Sequence, residues 1–385
     1  MTLFDELVGQ EPVVETLREA VDAASGGGAG SPQSAMTHAW LFTGPPGSGR
    51  SNAARAFAAA LQCEQGGCGE CHSCTTARAG SHPDITIIRT DGLSIGTDLI
   101  RDYVRRAALR PALGRWQVLI VEDADRLTDQ AANALLKSLE EPASHTVWML
   151  CAPAVEDVMV TIRSRCRPVL LRTPSTAAIA ELLVSRDGLE PQLAHAAAAA
   201  SQGHIGRALG LARDPMARDR RRAILALPLG VGSLGDCLAA AQTINDEATA
   251  RAAGVADTAD EREIADLRAS WGVEERGRRP AGYAGVLSTL EKDQKRRRTR
   301  IARDSIDGVL IDLLAFCRDV IAVQCAPGTE LVNSDVADDV ASVARVWTPE
   351  STLRRIDAIV DCREALDANA APQLALERMM IGFLP

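Results

Sequence analysis

The segment from residue 44 to residue 51 reads GPPGSGRS and has the spacing of a phosphate-binding loop. In such a loop, written G-x-x-x-x-G-K-[ST], the glycines let backbone N–H groups face the phosphates, the lysine reaches the β- and γ-phosphate oxygens, and the hydroxyl holds Mg²⁺. This chain keeps Gly44, Gly47, Gly49 and Ser51 but has Arg50 in place of the lysine. Because a planar guanidinium does not replace a compact ammonium in a crowded site, the loop predicts a nucleotide site that has lost its chemistry. The alternative is that arginine is simply the usual cation of this chain, since lysine occurs only at positions 137, 292 and 295.

A second nucleotide motif, an apolar strand followed by two acids, is also altered. Residues 118–121 read VLIV and are followed by Glu122 and Asp123. An ordinary ATPase has aspartate first, on the Mg²⁺ side, and glutamate second, where it polarises the attacking water. The reversed order moves each carboxylate by about one methylene, and a positioning error near 1 Å can cost on the order of 100-fold in rate. Two departures at one presumed site predict that hydrolysis is lost and that ATP with Mg²⁺ binds weakly or not at all.

Four cysteines between residues 63 and 74 predict a metal site. Their spacing is C-x4-C-x2-C-x2-C, and the ligands are Cys63, Cys68, Cys71 and Cys74. Zinc takes four tetrahedral ligands, and C-x2-C turns present two thiolates to one ion. An iron–sulfur run would place its fourth cysteine downstream and follow it with proline, which this segment does not do; redox cysteines remain the other alternative. Because four protein ligands leave no open position, the predicted zinc is structural.

The elements that must position these residues alternate along the first half of the chain. Short apolar runs predict strands, and the segments between them have helical patterns, which together indicate a parallel sheet covered on both faces. After residue 173 the strand patterns end. We therefore expect an α/β P-loop domain with the zinc module at 1–173, a small helical unit at 174–213 and a larger all-helical domain at 214–385. The runs that carry these predictions are strands at 39–43, 85–88, 117–121, 146–151 and 168–171, a helix within 1–22 after a short lead-in, helices at 52–61, about 97–109 and 129–139, and a flexible loop at 23–37.

Charge and composition limit the classes of partner. The chain has 385 residues, a formal net charge of −9 and a pI of about 5.3, so that any contact with nucleic acid would be local or made through partners. A charged stretch at about 244–304 contains the run Lys295-Arg296-Arg297-Arg298, which is either a solvated helix face or a contact to a DNA backbone. No apolar stretch approaches the roughly 18 residues of a membrane span, and the first residues lack the pattern of a signal peptide. We expect a cytoplasmic protein that does not contact a membrane.

Several further segments resemble one family, and they occur in the same order along the chain. They are FDELVGQ at 4–10, HAWLFTG at 38–44, the cysteine module, NALLKSLEEP at 133–142 and Ser164-Arg165-Cys166. This combination resembles the bacterial clamp-loader subunits of DNA polymerase III, which are AAA+ proteins, and within them the delta-prime type. The resemblance covers about residues 1–215 well, and the remainder fits only as a helical collar.

The resemblance implies a fold and an assembly. The fold is an AAA+ module, with an α/β domain and a helical lid, followed by a collar that joins a five-subunit ring. The partners are motor subunits of the gamma/tau type and a delta subunit, and the ring loads a sliding clamp on primed DNA. A subunit of this type is a rigid scaffold without intrinsic catalysis inside the polymerase III holoenzyme. Its Ser-Arg-Cys arginine, here Arg165, acts in trans as an arginine finger on the ATP of an adjacent motor subunit.

Two more departures agree with such a role. Cys151-Ala152-Pro153 follows the fourth predicted strand, where a polar sensor would contact the γ-phosphate, and Gly206 stands where motor subunits have a sensing arginine. Arg207 is one position further on. Two other functions remain as alternatives: an active clamp-loader ATPase in which Arg50 replaces lysine, and a zinc-containing DNA-binding module.

Overall fold

The computed structural model describes residues 2–26, 35–90, 92, 94–273, 280, 282–326 and 328–384. The chain forms two compact units, Met1–Ala212 and Arg213–Pro385. Part of the predicted flexible loop, residues 27–34, lies outside the described residues.

The first unit is built on a five-stranded parallel sheet with the strand order β2-β3-β4-β1-β5. The residues of β1, β3 and β4 are all buried, which explains their continuous apolar sequences, because both faces of a parallel sheet are covered. The strands are β1 Ala39–Thr43, β2 Ile85–Ile88, β3 Gln117–Val121, β4 Thr146–Ala152 and β5 Arg167–Leu170. The last strand begins one residue before the predicted one, and β4 extends through Ala152.

Successive side chains of a strand point to opposite faces, and the sheet therefore has two cores. Phe42 packs in a cluster with Leu17 of α1 and Phe57 of α2, whereas Leu41 packs in a cluster with Ile100 of α4 and Leu135 of α5. The helices of the first unit are α1 Glu11–Ala24, α2 Arg50–Gln62, α3 His72–Arg78, α4 Thr97–Ala107, α5 Asp129–Glu140, α6 Val160–Arg163, α7 Thr176–Asp187, α8 Pro191–Ser201 and α9 Ile205–Arg213.

The helix predicted within residues 1–22, after a short lead-in, is present as α1. Leu3–Glu6 form a short 3-10 turn, and α1 begins only at Glu11. Pro12 lies in the first turn of α1, where its fixed φ favours a helix start and its missing N–H costs no hydrogen bond. Gly9, three residues earlier, has a φ of 70°. This left-handed backbone conformation separates the 3-10 turn from the helix.

The second unit is all-helical. A single hydrophobic cluster joins its long helices, with Ile244 of α11, Phe316 of α12, Ile359 of α14 and Leu376 of α15 completely buried. Its helices are α10 Pro215–Ala226, α11 Leu234–Ser270, α12 Tyr283–Cys325, α13 Ala337–Val346, α14 Pro349–Asp367 and α15 Pro372–Ile381. A parallel α/β module followed by helices is the predicted fold class, which is confirmed. The division into three domains at residues 173 and 213 stays a prediction.

The charged stretch at 244–304 belongs to α11 and α12, which pack against each other, while residues 274–279 and 281 lie outside the described part. Asp260 of α11 has a side chain only 3% exposed and binds two arginines of the basic run. Arg298 donates from Nε at 2.7 Å, and Arg297 also reaches Glu263 at 2.6 Å. Because these cations are paired with acids of the adjacent helix, the run supports a structural helix face better than a DNA contact. Within the described ranges, no helix is long and apolar enough to cross a membrane.

Candidate functional site

The phosphate loop connects the carboxyl end of β1 to α2, as the motif requires. Gly47 and Gly49 have φ values of 84° and 92°, which glycine adopts without strain and other residues rarely do. A Cβ at Gly47 would lie 2.5 Å from the Cα, Cβ and Cγ of His204. The backbone of the loop therefore touches the segment just before α9, and only glycine fits at this contact.

Arg50, the residue that replaces the lysine, is the first residue of α2 and turns back onto the loop. Its Nη1 donates a hydrogen bond to the carbonyl oxygen of Gly44. Burial lowers the pKa of Arg50, while the nearby Cys151, Asp125 and Asp123 act in the opposite direction. Because a guanidinium remains protonated in proteins, the loop contains a fixed positive charge that is already bonded to its own backbone.

The two acids after β3 have different surroundings. Oε1 of Glu122 accepts hydrogen bonds from Nη2 of Arg55 at 2.6 Å and from Nε of the same arginine at 3.0 Å. The Glu122 side chain is only 13% exposed. Asp123 lies near Arg50, and its negative charge partly opposes the burial that lowers the pKa of that guanidinium. The acid expected on the Mg²⁺ side is therefore paired with an arginine of α2, a residue that the sequence analysis did not identify.

The position predicted for a polar sensor is apolar in character. Cys151 lies within β4, is completely buried and pairs in register with Phe42 of β1. Burial raises the pKa of its thiol to about 12, so that the side chain is a neutral thiol at physiological pH and only a weak hydrogen-bond donor.

His204, which lies between α8 and α9, is placed against the phosphate loop. It contacts Gly47 as described above, and its Nδ1 accepts the backbone N–H of Arg207 at 3.2 Å. Burial lowers the pKa of His204, and the positive charges of Arg207 and Arg50 lower it further. The sequence analysis considered Gly206 and Arg207 in this segment and missed His204, because no motif marks a residue that acts through a close backbone contact.

Gln10 is a second residue that sequence reasoning missed. Its Nε2 donates to the carbonyl oxygen of Arg172 at 2.7 Å, and its Oε1 accepts the backbone N–H of the same residue at 3.1 Å. Nε2 also lies 3.4 Å from the carbonyl oxygen of Ser48. One buried amide thus joins the start of α1, the phosphate loop and the segment after β5. The resemblance included Gln10 in its first motif but gave no reason for it.

Two buried hydroxyls border the loop without a hydrogen-bond partner among the described residues. They are Oγ1 of Thr43 and Oγ of Ser48, and both residues are at most 3% exposed. An unsatisfied buried hydroxyl costs roughly 1–3 kcal/mol. The loop is therefore not fully satisfied by the chain itself.

Arg165 lies at the amino ends of the strands, opposite the end where the phosphate loop lies. It follows α6 and precedes the amino end of β5, whereas the phosphate loop follows the carboxyl end of β1, and the two strands are parallel. A strand of four or five residues separates these ends by roughly 13–17 Å. Nη2 of Arg165 binds Oε1 of Glu140 at 2.5 Å, Nη1 donates to the carbonyl oxygen of Thr161 at 2.7 Å, and the side chain is 36% exposed. The structure therefore separates Arg165 from the other predicted site residues.

The four cysteines come together at the carboxyl end of α2, whereas the phosphate loop lies at its amino end. Their sulfur atoms all lie within 4.8 Å of one another, and Sγ of Cys63 is 3.7 Å from both Cys68 and Cys71. In a tetrahedral site with zinc–sulfur distances of about 2.3 Å, neighbouring sulfur atoms are about 3.8 Å apart. The donor set and the observed spacing both fit zinc.

Backbone N–H groups also prepare these sulfurs for a metal. The N–H groups of Gln65, Cys71 and Cys74 donate to the sulfurs of Cys63, Cys68 and Cys71 at 3.3–3.4 Å. Burial acts to raise the pKa of Cys63, but the backbone N–H donors outweigh it and lower that pKa to about 6. Burial raises the pKa of Cys74. Cys63 is thus readily a thiolate, whereas Cys71 and Cys74, whose pKa values burial raises, lose their protons more easily when a cation is bound.

A phosphate loop between β1 and α2, at the carboxyl end of a strand in a five-stranded parallel sheet, is the arrangement of a P-loop module. Comparisons with known proteins then indicate which kind of subunit the chain resembles. The family model described as DNA polymerase III, delta subunit, matches residues 30–175. The resemblance to a clamp-loader subunit of the delta-prime type is therefore confirmed for this N-terminal part of the chain.

Individual relatives include subunits of both the gamma/tau and the delta-prime type. The chain is 37% identical to the DNA polymerase III subunit gamma/tau of Mycobacterium tuberculosis over 180 residues, which are 45% of this chain and 29% of that protein. It is 32% identical to the DNA polymerase III subunit delta' of Bacillus subtilis over 193 residues, 49% of this chain and 58% of that protein. The chain thus spans between about a third and just over half of these curated relatives. A gamma subunit-related protein of Thermotoga maritima is similar in structure, with a TM-score of 0.40 and 16% identity over 89% of this chain and 92% of that chain.

Proposed function

We propose that this chain is the delta-prime-type subunit of a DNA polymerase III clamp loader. It does not hydrolyse ATP itself and provides Arg165 to the ATP of a neighbouring motor subunit. The observation that carries this proposal is that Arg165 lies at the amino ends and the phosphate loop at the carboxyl ends of the parallel strands. Since Arg165 lies far from the loop of its own chain, the nucleotide on which it acts belongs to another chain.

The state of the loop supports the scaffold role. Arg50 is bonded to Gly44, and Glu122 is bonded to Arg55. The buried thiol of Cys151 offers little to a γ-phosphate. The groups that bind phosphate, hold Mg²⁺ and sense the γ-phosphate in an active site are therefore replaced or occupied by partners within the chain.

The partners follow from the family. We propose that the helical unit joins a ring with gamma/tau-type motor subunits and a delta subunit, and that the ring acts on a sliding clamp and primed DNA. Zinc, held by the four cysteines, has a structural role in this proposal. Nucleotide at the residues from Gly44 to Ser51 is bound weakly or not at all.

The test uses the ring reconstituted from this chain with the gamma/tau-type and delta subunits of the same organism. Arg165→Ala should leave assembly intact and slow clamp loading by at least tenfold, since an arginine finger is worth roughly 10³–10⁵ in rate at the site it serves. Arg163→Ala, which removes the last residue of α6 two positions before Arg165, is the matched control and should stay within twofold of wild type. An unchanged loading rate with Arg165→Ala would refute the finger role.

An active ATPase of the gamma/tau type is the second candidate, because the phosphate loop keeps its glycines and a gamma/tau relative is 37% identical over 180 residues. It predicts Mg²⁺-dependent ATP turnover by the isolated chain. The scaffold proposal predicts none.

A further inference from the structure

The residues of this chain that correspond to the Mg²⁺ ligands of P-loop NTPases have contacts that the sequence motif alone does not reveal. In P-loop NTPases, Mg²⁺ is held by the serine or threonine hydroxyl of the loop and by the first acid after the neighbouring strand. The corresponding residues of this chain are Ser51 and Glu122. Whether they fit Mg²⁺ is decided by what each of them already contacts.

Glu122 contacts a cation of its own chain. Both hydrogen bonds from Arg55, at 2.6 and 3.0 Å, end on the same carboxylate oxygen, Oε1. Two N–H donors on one largely buried oxygen form a strong charge-assisted contact. Glu122 is therefore a partner of Arg55 before any ligand arrives.

The position of Arg55 on its helix adds a second obstacle. Ser51 and Arg55 are four residues apart in α2 and therefore lie on the same face, one turn from each other. The guanidinium of Arg55 thus lies on the face of α2 that would have to meet the metal. A divalent cation held by Ser51 and Glu122 would be placed beside this fixed positive charge.

The reversed order of the two acids explains the pairing. Glutamate has one methylene more than aspartate, about 1.5 Å of reach, and this longer side chain brings the Glu122 carboxylate to Arg55. The second acid does not take over the role freely, because Asp123 lies in the field of Arg50. The residues present therefore do not fit the Mg²⁺ that the fold family implies.

We infer that this phosphate loop does not hold a divalent cation, because Arg55 occupies the carboxylate of Glu122 in its place. The inference rests on the proposed non-hydrolysing function and gives one physical cause for it. It predicts that Mg²⁺ adds nothing to the affinity of this chain for nucleotide, whatever that affinity is.

The experiment measures Mn²⁺ binding by electron paramagnetic resonance, with and without ADP, on the full-length chain. Wild type should bind Mn²⁺ no better with ADP than without it. Arg55→Gln, which frees Glu122, should raise the affinity for Mn²⁺ in the presence of ADP by at least tenfold. Glu122→Asp, which withdraws the carboxylate from Arg55, should act in the same direction. Thermal unfolding confirms that each variant is folded.

Arg78→Gln is the matched control, because Arg78 pairs with Glu6 at 3.0 Å away from the loop, and it should behave as wild type. The inference is overturned if wild type already shows tenfold stimulation of Mn²⁺ binding by ADP, or if both loop variants bind no better than wild type. Its failure is distinguishable from failure of the proposed function: wild type that binds Mn²⁺ with ADP, in a ring that Arg165→Ala still slows, refutes only the metal inference.

Discussion

The two ends of α2 carry two sites that differ in whether their ligand-binding groups are already bonded within the chain. At the amino end, the phosphate loop has its expected shape, but Arg50 and Glu122 are bonded to groups of the same chain. At the carboxyl end, Cys63 begins a complete set of four sulfurs spaced for one zinc ion. A ligand site persists where its donors have no better partner inside the protein, and it is lost where salt bridges and hydrogen bonds take the donors.

The largest expected effect lies at the cysteine end. Cys71→Ser combined with Cys74→Ser should abolish zinc binding, and the first unit should lose at least about 3 kcal/mol of stability, since metal binding contributes directly to the folding of such modules. Zinc content by mass spectrometry and thermal unfolding measure the two effects. Wild-type protein purified without zinc would contradict the metal site, and Cys237→Ser, a buried cysteine of the other unit, serves as a control for zinc content.

At the amino end, Gly47→Ala should destabilise the first unit by about 3 kcal/mol. The positive φ strains any side chain there, and the new Cβ would collide with His204. Gly49→Ala has a similar φ but meets nothing within 4 Å, so that it should cost only the strain, about 1 kcal/mol. Chemical denaturation of both variants separates the two terms. Equal losses would mean that the loop and the segment before α9 are not in contact.

A smaller effect is expected from Asp84, a buried carboxylate just before β2. Asp84 accepts the backbone N–H groups of Ala112, Leu113 and Gly114 at 2.5–2.9 Å. Burial raises the pKa of Asp84, but these three donors outweigh burial and bring the pKa below its usual value of 3.8. Asp84→Asn should cost about 2 kcal/mol at neutral pH, because hydrogen bonds to a charged group are lost.

The pH dependence gives this prediction its sign. A carboxylate with a lowered pKa in the folded protein stabilises it above the unfolded pKa of about 3.9, and the stabilisation is lost as the pH falls through the folded value. The difference between wild type and Asp84→Asn should therefore be constant above about pH 5 and shrink below about pH 4. Denaturation curves at several pH values check this, and a difference that grows in acid would refute the assignment.

The smallest effect, none, is expected for Arg50→Lys. Restoring the lysine leaves Glu122 bound to Arg55 and Cys151 buried in β4. The isolated chain should therefore show no ATP turnover either as wild type or as this variant, with or without primed DNA. Steady-state hydrolysis is the measurement. Turnover by the wild type would make the chain a motor subunit and remove the contrast between the ends of α2.

The sequence was sufficient for the elements and for the local motifs. Strands such as β3 are continuous apolar runs, the phosphate loop joins a strand to a helix, and the four cysteines are close in the chain. Each of these signals lies within a few residues. This is why the fold class could be predicted before any coordinates were known.

What the sequence could not supply were contacts between distant segments. Arg55 and Glu122 are 67 residues apart, and Gln10 and Arg172 are 162 apart. Neither pair has a pattern that distinguishes it from ordinary surface or core residues. The basic run at 295–298 left two alternatives open, and the pairing of Arg297 and Arg298 with Asp260, 37 and 38 residues earlier, favours the helix face.

The separation of Arg165 from the phosphate loop makes the two ends of the first unit different. Along the strand axis, Arg165 lies at one end and the phosphate loop lies at the other. A neighbour at the first end would meet the arginine, and a neighbour at the second would meet the loop. Contacts between unlike surfaces are head-to-tail, and they produce closed rings or open filaments rather than two-fold pairs. In the ring proposed above, a subunit that provides Arg165 but hydrolyses no nucleotide would be the position at which activation passed from one subunit to the next starts or stops.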